Sequence, residues 1–169
     1  MSLLPLPLGE GWGEGGGENE GTMTDQLETA RRLIQGVLLR QPFMQLLGVT
    51  LGDVGEGRVE LRVELRPELT QHGGVAHGGV IGALADNAAG AAAGTLTLPE
   101  KATVTAEYKI SFIAPGAGEN LRAVGQVLKA GKTLINVESR VYALKADGTE
   151  TLCAVALATM VPVMLPARG

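Results

Sequence analysis

The sequence has few of the residues on which several large classes of protein depend. Its 169 residues include one cysteine, two histidines and only 3% aromatic residues. The single cysteine, Cys153, excludes an intrachain disulfide and a zinc site built from cysteines. So few aromatic residues argue against a stacking surface for single-stranded nucleic acid, and a net charge of −4 gives no basic footprint for it. We therefore expect no nucleic-acid partner.

Long apolar segments and targeting signals are lacking as well. No uninterrupted apolar run reaches the roughly 18 residues of a membrane-spanning helix. The leucine-rich N-terminus has no basic residues and is interrupted by Pro5 and Pro7, which is not typical of a signal peptide. These features predict a cytoplasmic protein without a membrane partner.

The first 22 residues differ in composition from the rest of the chain. They contain seven of the 25 glycines and four glutamates but no lysine or arginine, and so account for the whole net charge. Such a segment cannot bury enough apolar surface to offset the entropy lost on ordering it. We predict a disordered tail over residues 1–22 and a single domain over residues 23–165, with Met23 as a hypothetical true start.

Hydrophobic periodicity predicts the order of elements in this domain. Apolar residues recur at helical spacing from Asp25 onward, which predicts a first helix that Pro42 ends. Residues 80–96 are apolar on every side, which is typical of a buried helix. A short apolar connector follows Pro42. Six strands are predicted as well, and the last four of them are expected to form the hairpins of a meander. The predicted strands are residues 49–54, 57–65, 101–113, 119–130, 133–144 and 149–161. This order predicts an α+β fold in which one long antiparallel sheet wraps around a central helix.

Asp86 is the most informative residue of the predicted buried helix. A carboxylate there is costly unless it is paired or functional. A hydrogen bond from Asn87 or a solvent-facing seam would be a structural explanation for it. Gly82 and Gly90 lie four residues away on the same helix face and leave space beside the carboxylate. A carboxylate in such an apolar slot can act as a general base.

Gly78 and Gly79 open the same helix. Backbone N–H groups at a helix N-terminus lack intrahelical partners and carry a partial positive charge, and glycine lets a substrate carbonyl approach them closely. This would suit an oxyanion site. However, Gly78 and Asp86 are about 12 Å apart along a helix that rises ~1.5 Å per residue. One carbonyl cannot contact both on one helix, so joint action requires two symmetry-related chains with antiparallel helices.

Other motifs favour ordinary structural interpretations. His72 and His77 could join a metal site only with Asp86, so we expect no metal and no cofactor. The segment Gly131–Thr133 is similar to the end of a phosphate loop, but it lies between two predicted strands and is interpreted as a hairpin turn. Cys153, in an apolar strand, is interpreted as a buried structural thiol.

Three segments together resemble the signature of a known family. Residues 71–79, QHGGVAHGG, are followed by ALADN at residues 83–87 and by EYKISFIAP at residues 107–115. This combination resembles hotdog-fold acyl-CoA thioesterases of the PaaI-like type, and the resemblance covers about residues 43–162. It implies a hotdog fold, with dimers that often pair into tetramers. It also implies hydrolysis of acyl-CoA at the dimer interface, with aryl or medium-chain acyl groups.

The resemblance also implies roles for individual residues. Asp86 would be the general base or nucleophile, and the amide of Gly78 would polarise a thioester carbonyl bound with the other subunit. His77 would shape the start of the helix. Gln71 stands where the family often has an asparagine that positions water or the carbonyl, and Thr105 stands where relatives carry a hydroxyl near the nucleophilic water. We expect the substrate to be bound by Gly79, Gly82, Asn87 and Gly90.

Several alternatives stay open at this point. Asp86 could deprotonate a water molecule, or it could attack the thioester directly and form a mixed anhydride. A hotdog dehydratase or hydratase would place a histidine and a carboxylate at different spacings. A non-catalytic module that binds acyl-CoA would need no base such as Asp86. Thioester hydrolysis is therefore the function that the sequence predicts.

Overall fold

The computed structural model describes residues 19–164, and their side chains from residue 24 onward. Helix α1 spans Asn19–Leu33 and continues as a π-helical segment, Ile34–Leu38. The helix begins before the predicted start at Asp25, since extending a nucleated helix costs little per residue. The last four residues of the predicted tail are thus helical. Its first 18 residues, and the last residue of the predicted domain, lie outside the described residues.

A second short helix stands where the sequence predicted a connector. Helix α2 spans Pro42–Leu47, with Pro42 in the first turn, where a missing N–H breaks no intrahelical hydrogen bond. Gly48 ends the helix with a φ of 73°, in the left-handed region that favours glycine. Met44 and Leu47 are buried. The connector is helical because it presents these two apolar side chains to the core, three residues apart on one face.

Six strands form one antiparallel sheet in the order β1-β2-β4-β5-β6-β3. The central helix, α3, spans Gly78–Gly94. The strands are β1 (Thr50–Gly55), β2 (Arg58–Glu64), β3 (Lys101–Phe112), β4 (Asn120–Ala130), β5 (Ile135–Leu144) and β6 (Glu150–Met164). All six predicted strands are therefore present, and α3 packs against the inner face of the sheet.

The predicted meander is correct for β4, β5 and β6 but wrong for β3. Strand β3 pairs with β6 and lies at an edge of the sheet, so it forms no hairpin with β4. The segment between β3 and β4 crosses the N-terminal end of α3 instead of turning tightly. The Gly116 carbonyl accepts a hydrogen bond from Ala76 N at 2.9 Å, and a Cβ at Gly116 would lie 2.9 Å from Ala76 Cβ. This packing carries the chain past the helix.

Helix α3 lies directly on the sheet at Gly125. A Cβ at this position would lie 2.2 Å from the carbonyl oxygen of Ala88, so only glycine fits there. The buried face of α3 is built largely from alanine, and this close approach offsets the unfavourable helix propensity of its glycines. The predicted α+β hotdog fold, with its extra N-terminal helix, is confirmed. No helix within residues 19–164 is long and apolar enough to cross a membrane.

Candidate functional site

One face of α3 has a glycine or Asp86 at every fourth position. Residues four apart lie one above the other on a helix, so these five form a single stripe. Contacts with β3, described below, show that the stripe faces this edge strand. The stripe consists of Gly78, Gly82, Asp86, Gly90 and Gly94. Asp86 is therefore the one residue of the stripe that has a side chain, and it is half-buried.

A bulge in β3 determines which of its side chains reach this stripe. Residues opposite each other in an antiparallel pair share one face of the sheet, and Thr105 lies opposite the buried Met160. The register then shifts by one residue at Ala106, so Glu107 faces outward and Tyr108 faces the helix. Without this extra residue, the strand beyond Thr105 would present its other set of side chains to α3.

Strand β3 consequently follows α3 closely along its length. Four contacts join the two elements: Thr103 Oγ1 donates to the Gly90 carbonyl at 2.9 Å, Thr105 Oγ1 donates to Asp86 Oδ1 at 2.7 Å, Tyr108 Oη lies 3.4 Å from where a Cβ at Gly82 would be, and the Phe112 ring lies 3.5 Å from where a Cβ at Gly78 would be. The strand therefore lies against the glycine stripe, and one of its hydroxyls orients the Asp86 carboxylate.

Only one oxygen of the Asp86 carboxylate is engaged. Oδ1 accepts the Thr105 hydrogen bond, whereas Oδ2 has no hydrogen-bond partner within residues 19–164. The neighbouring Asn87 makes no hydrogen bond to Asp86, and its Nδ2 donates instead to the Ala83 carbonyl at 2.8 Å. The structural explanation considered for Asp86, a hydrogen bond from Asn87, is therefore wrong. Asp86 is held by one hydroxyl and keeps a free oxygen.

The N-terminus of α3 presents a single free amide. His77 is the N-cap residue, and its Nδ1 accepts a hydrogen bond from Gly79 N at 2.9 Å. The next two amides, of Val80 and Ile81, donate to the His77 carbonyl. Among the described part of the chain, Gly78 N–H has no acceptor. Gly78, and not Gly79, is thus the amide available to a ligand.

The predicted site residues separate into two cavities. The first cavity, of about 450 Å³, lies between α3 and the π-helical segment, and its wall includes Asp86, Asn87, Gly90 and Thr105. The second cavity, of about 640 Å³, lies at the N-terminal end of α3, and its wall includes Gln71, His72, Gly78 and Phe112. His77, Gly79 and Gly82 line neither of these two. One chain thus holds the carboxylate and the free amide in different places, as their spacing predicts.

One wall of the first cavity was missed in the sequence. It is formed by α1, the π-helical segment and the turn after it, through Leu33, Ile34, Val37, Leu38 and Gln41. Helical periodicity predicts an apolar face in this region but does not tell which element that face covers. Thr103 and Leu98 also line the cavity and were missed as well. Within the described residues, no three His, Cys, Asp or Glu side chains are grouped so that they could hold a metal ion.

Comparisons with known proteins agree with this architecture. A sequence profile described as the thioesterase superfamily matches residues 73–149. Human acyl-coenzyme A thioesterase 13 is 30% identical to this chain over 116 residues, which are 66% of this chain and 81% of that protein.

Solved structures share the fold. A thioesterase family protein from Silicibacter pomeroyi is similar with a TM-score of 0.77 and 33% identity, over 80% of this chain and 99% of that one. The PaaI protein from the phenylacetic acid degradation operon of E. coli is similar with a TM-score of 0.68 and 20% identity, over 82% of this chain and 96% of that one. At that identity, the second comparison shows the fold alone.

Proposed function

Because this chain belongs to the thioesterase superfamily, as its sequence signature predicts, we propose that it hydrolyses acyl-CoA thioesters to a carboxylic acid and free CoA. The observation that carries the proposal is the position of Asp86. This residue lies in the wall of a largely apolar cavity, and its Oδ2 has no hydrogen-bond partner among the described residues. We propose aryl or medium-chain acyl groups as substrates; the cavity volume of about 450 Å³ is within the range of about 300–1,000 Å³ that is usual for small-molecule sites.

In the proposed mechanism, Asp86 acts as a general base. Its carboxylate takes a proton from water, and the resulting hydroxide attacks the thioester carbonyl carbon. The N–H of Gly78 of the partner subunit donates to the developing oxyanion. The tetrahedral intermediate then expels the CoA thiolate, which takes up the proton held by Asp86. Direct attack by Asp86 on the carbonyl, with an anhydride that water then hydrolyses, uses the same two groups and stays the alternative.

The mechanism requires a homodimer, and β3 offers a surface for one. This edge strand is 12 residues long, and a long exposed edge has unpaired backbone groups that readily pair with another strand. Its apolar side chains Val104, Tyr108 and Phe112 are 43–56% exposed. We propose that β3 pairs with β3 of a second copy, which sets the two α3 helices side by side and antiparallel. The exposed Leu128 and Leu157 on the outer face would then join two dimers into a tetramer.

The remaining predicted residues have supporting roles in the proposal. The hydrogen bond from Gly79 to His77 fixes the first turn of α3 and leaves the Gly78 amide exposed to substrate. Gln71, in the wall of the second cavity, would bind the carbonyl or the attacking water through its amide. Gly82, Asn87 and Gly90 would form the surface along which the acyl thioester lies.

The test is release of free CoA thiol from a panel of acyl-CoAs. We expect Asp86→Asn to lower kcat by about 100- to 10,000-fold, the usual contribution of a general base, while acyl-CoA still binds. Asp53→Asn is the matched control, since Asp53 is an exposed residue of β1 that lines neither cavity. Unchanged turnover in Asp86→Asn would contradict the role of Asp86. Binding of acyl-CoA by the wild type without any turnover would favour the non-catalytic module, and hydration of an enoyl-CoA would favour the hydratase.

A further inference from the structure

We propose that the first cavity is the acyl pocket, that it selects acyl groups without polar substituents, and that Gly90 and Leu98 set the length it accepts. The proposal rests on the proposed function and adds the substrate class. The wall opposite α3, residues 33–41, is called the roof segment below.

Of the two cavities, the first reaches Asp86. A thioester carbonyl must lie beside the Asp86 carboxylate for either mechanism to operate. The first cavity contains Asp86, and it continues past Gly90 and Gly94 to Leu98. The second cavity does not reach Asp86. The acyl group of a reacting thioester therefore has a continuous space along the C-terminal half of α3.

The hydroxyl and amide groups of the cavity wall are hydrogen-bonded within the protein. The hydroxyls of Thr103 and Thr105 donate to the Gly90 carbonyl and to Asp86, and Asn87 Nδ2 donates to the Ala83 carbonyl. Among residues 19–164, no lysine, arginine or histidine lines this cavity. The one other polar side chain of the wall, Gln41, is exposed to solvent. Beyond Gly90, towards Gly94 and Leu98, the one polar side chain that α3 and β3 add to the wall, among the described residues, is Thr103, and its hydroxyl hydrogen is already donated. A hydroxyl or carboxylate at the far end of the acyl group would therefore lose its water and find no free donor there.

The cavity has a limited length, with Asp86 at one end and Leu98 at the other. Asp86 and Gly94 are about 12 Å apart along the helix axis. A Cβ at Gly94 would lie 3.4 Å from Leu98 Cδ1, so the Leu98 side chain covers the far end. At Gly90, by contrast, a Cβ would meet its nearest neighbour, Met160 Cε, at 3.9 Å. A larger side chain at residue 90 thus fits at its first carbon and extends into the pocket.

The roof segment closes the pocket on the side away from the sheet. Ile34 is buried, whereas Val37 is 55% exposed although it lines the cavity. The outer side of the wall at Val37 is therefore open to solvent. The segment contributes no group to the proposed chemistry, so its part is to enclose the acyl group.

The test compares kcat/KM over a series of saturated acyl-CoAs. We expect Gly90→Leu to lower the ratio for decanoyl-CoA relative to butyryl-CoA at least tenfold, because it shortens the pocket. We expect Leu98→Ala to raise the ratio for tetradecanoyl-CoA relative to octanoyl-CoA at least threefold. Gly55→Leu makes the same substitution as the first variant in open space outside the cavity and should change neither ratio.

Polar substituents give a separate measurement on the wild type. We expect phenylacetyl-CoA to exceed 4-hydroxyphenylacetyl-CoA in kcat/KM by about 10- to 100-fold, the discrimination that an apolar pocket makes against a hydroxyl. Equal values would overturn the selection against polar groups.

The outcomes separate the two proposals. Absence of turnover with every acyl-CoA would overturn the proposed function and this inference with it. Turnover with length ratios unchanged in both pocket variants would overturn the acyl pocket and leave the proposed function standing. If Gly90→Leu does not fold by circular dichroism, Leu98→Ala decides, since its substitution only removes atoms.

Discussion

Thr105 donates its hydroxyl hydrogen to Oδ1 of Asp86 at 2.7 Å, across the interface between β3 and α3. The bond joins residues that are 19 positions apart in the sequence, and it depends on the strand and the helix lying in one register. Its effect is to hold the carboxylate in one orientation while Oδ2 stays free. Thr105 is thus a positioning residue in the proposed reaction.

Removal of this hydroxyl should impair the chemical step more than binding. We expect Thr105→Val, which keeps the shape of the side chain, to lower kcat by about 10- to 100-fold, since a misplaced reacting group has a cost of this order. KM should change much less. Thr105→Ser restores the hydroxyl and should recover most of kcat. Equal losses in both variants, measured by thiol release, would indicate a packing role instead.

The proposed oxyanion donor can be removed by a substitution that suits the local backbone. Proline is favoured at the first position of a helix, and the extended backbone of His77, with ψ of 136°, suits a following proline. Gly78→Pro therefore deletes the N–H and should lower kcat by about 100- to 1,000-fold. Gly78→Ala keeps the N–H, and its Cβ would lie 3.5 Å from Phe112, an ordinary contact. Similar kcat values in the two variants would show that this amide does not act.

Mixing two inactive variants tests whether the site is shared between subunits. Asp86→Ala and Gly78→Pro chains, unfolded together in equal amounts and refolded, should form mixed dimers with one intact site each. Random assortment then predicts recovery of about one quarter of the wild-type activity in a two-fold symmetric dimer. Each variant refolded alone is the control. Activity that does not rise above these controls would place both groups in one chain or remove one of them from the reaction.

The close approach of α3 to the sheet should make Gly125 intolerant of any side chain. In Gly125→Ala the new methyl group would overlap the Ala88 carbonyl oxygen, and overpacking of this kind typically costs about 1–3 kcal/mol or more. Gly55→Ala is the matched control, because it is also a strand glycine but has open space around it. Urea unfolding should show a large loss of stability only in the first variant. Equal midpoints would contradict the contact.

Burial raises the pKa of the Cys153 thiol above its ordinary value of 9.0. The unfolded chain then loses this proton at lower pH than the folded chain, so above about pH 9 the folded state binds more protons. The free energy of unfolding should fall as pH rises there, by at most ~1.4 kcal/mol per unit from this group. The stability advantage of the wild type over Cys153→Ala should consequently shrink between pH 8 and pH 10 in urea unfolding. An advantage that stays constant would contradict the raised pKa.

Features that depend on local sequence were predicted well. The apolar run of α3 and the positions of the six strands depend on neighbouring residues, and both are confirmed. The separation of Gly78 from Asp86 also follows from their positions in one helix. Pairing between distant segments could not be predicted in this way. Pro115 and Gly116 are typical turn residues, so β3 was assigned a hairpin with β4, whereas its partner is β6.

The wall of the first cavity also depends on contacts between distant segments, which the local sequence does not reveal. An apolar stripe along residues 27–38 predicts burial, but the stripe carries no information on the partner that it covers. The bulge at Ala106 is similarly invisible, since a single extra residue leaves the strand composition unchanged. The Thr105 position came from the resemblance to the family, and its hydrogen bond to Asp86 is seen only in three dimensions.

The roof segment and the α3–β4 contact differ in how freely they can change during evolution. At Gly125 the backbone of α3 occupies the place that a side chain of β4 would take, so substitution there is strongly restricted. At Val37, a half-exposed residue encloses the pocket without sharing in that contact. Substrate preference among descendants of this protein should therefore diverge through residues 33–41 as well as at Gly90 and Leu98, while the reacting groups stay the same.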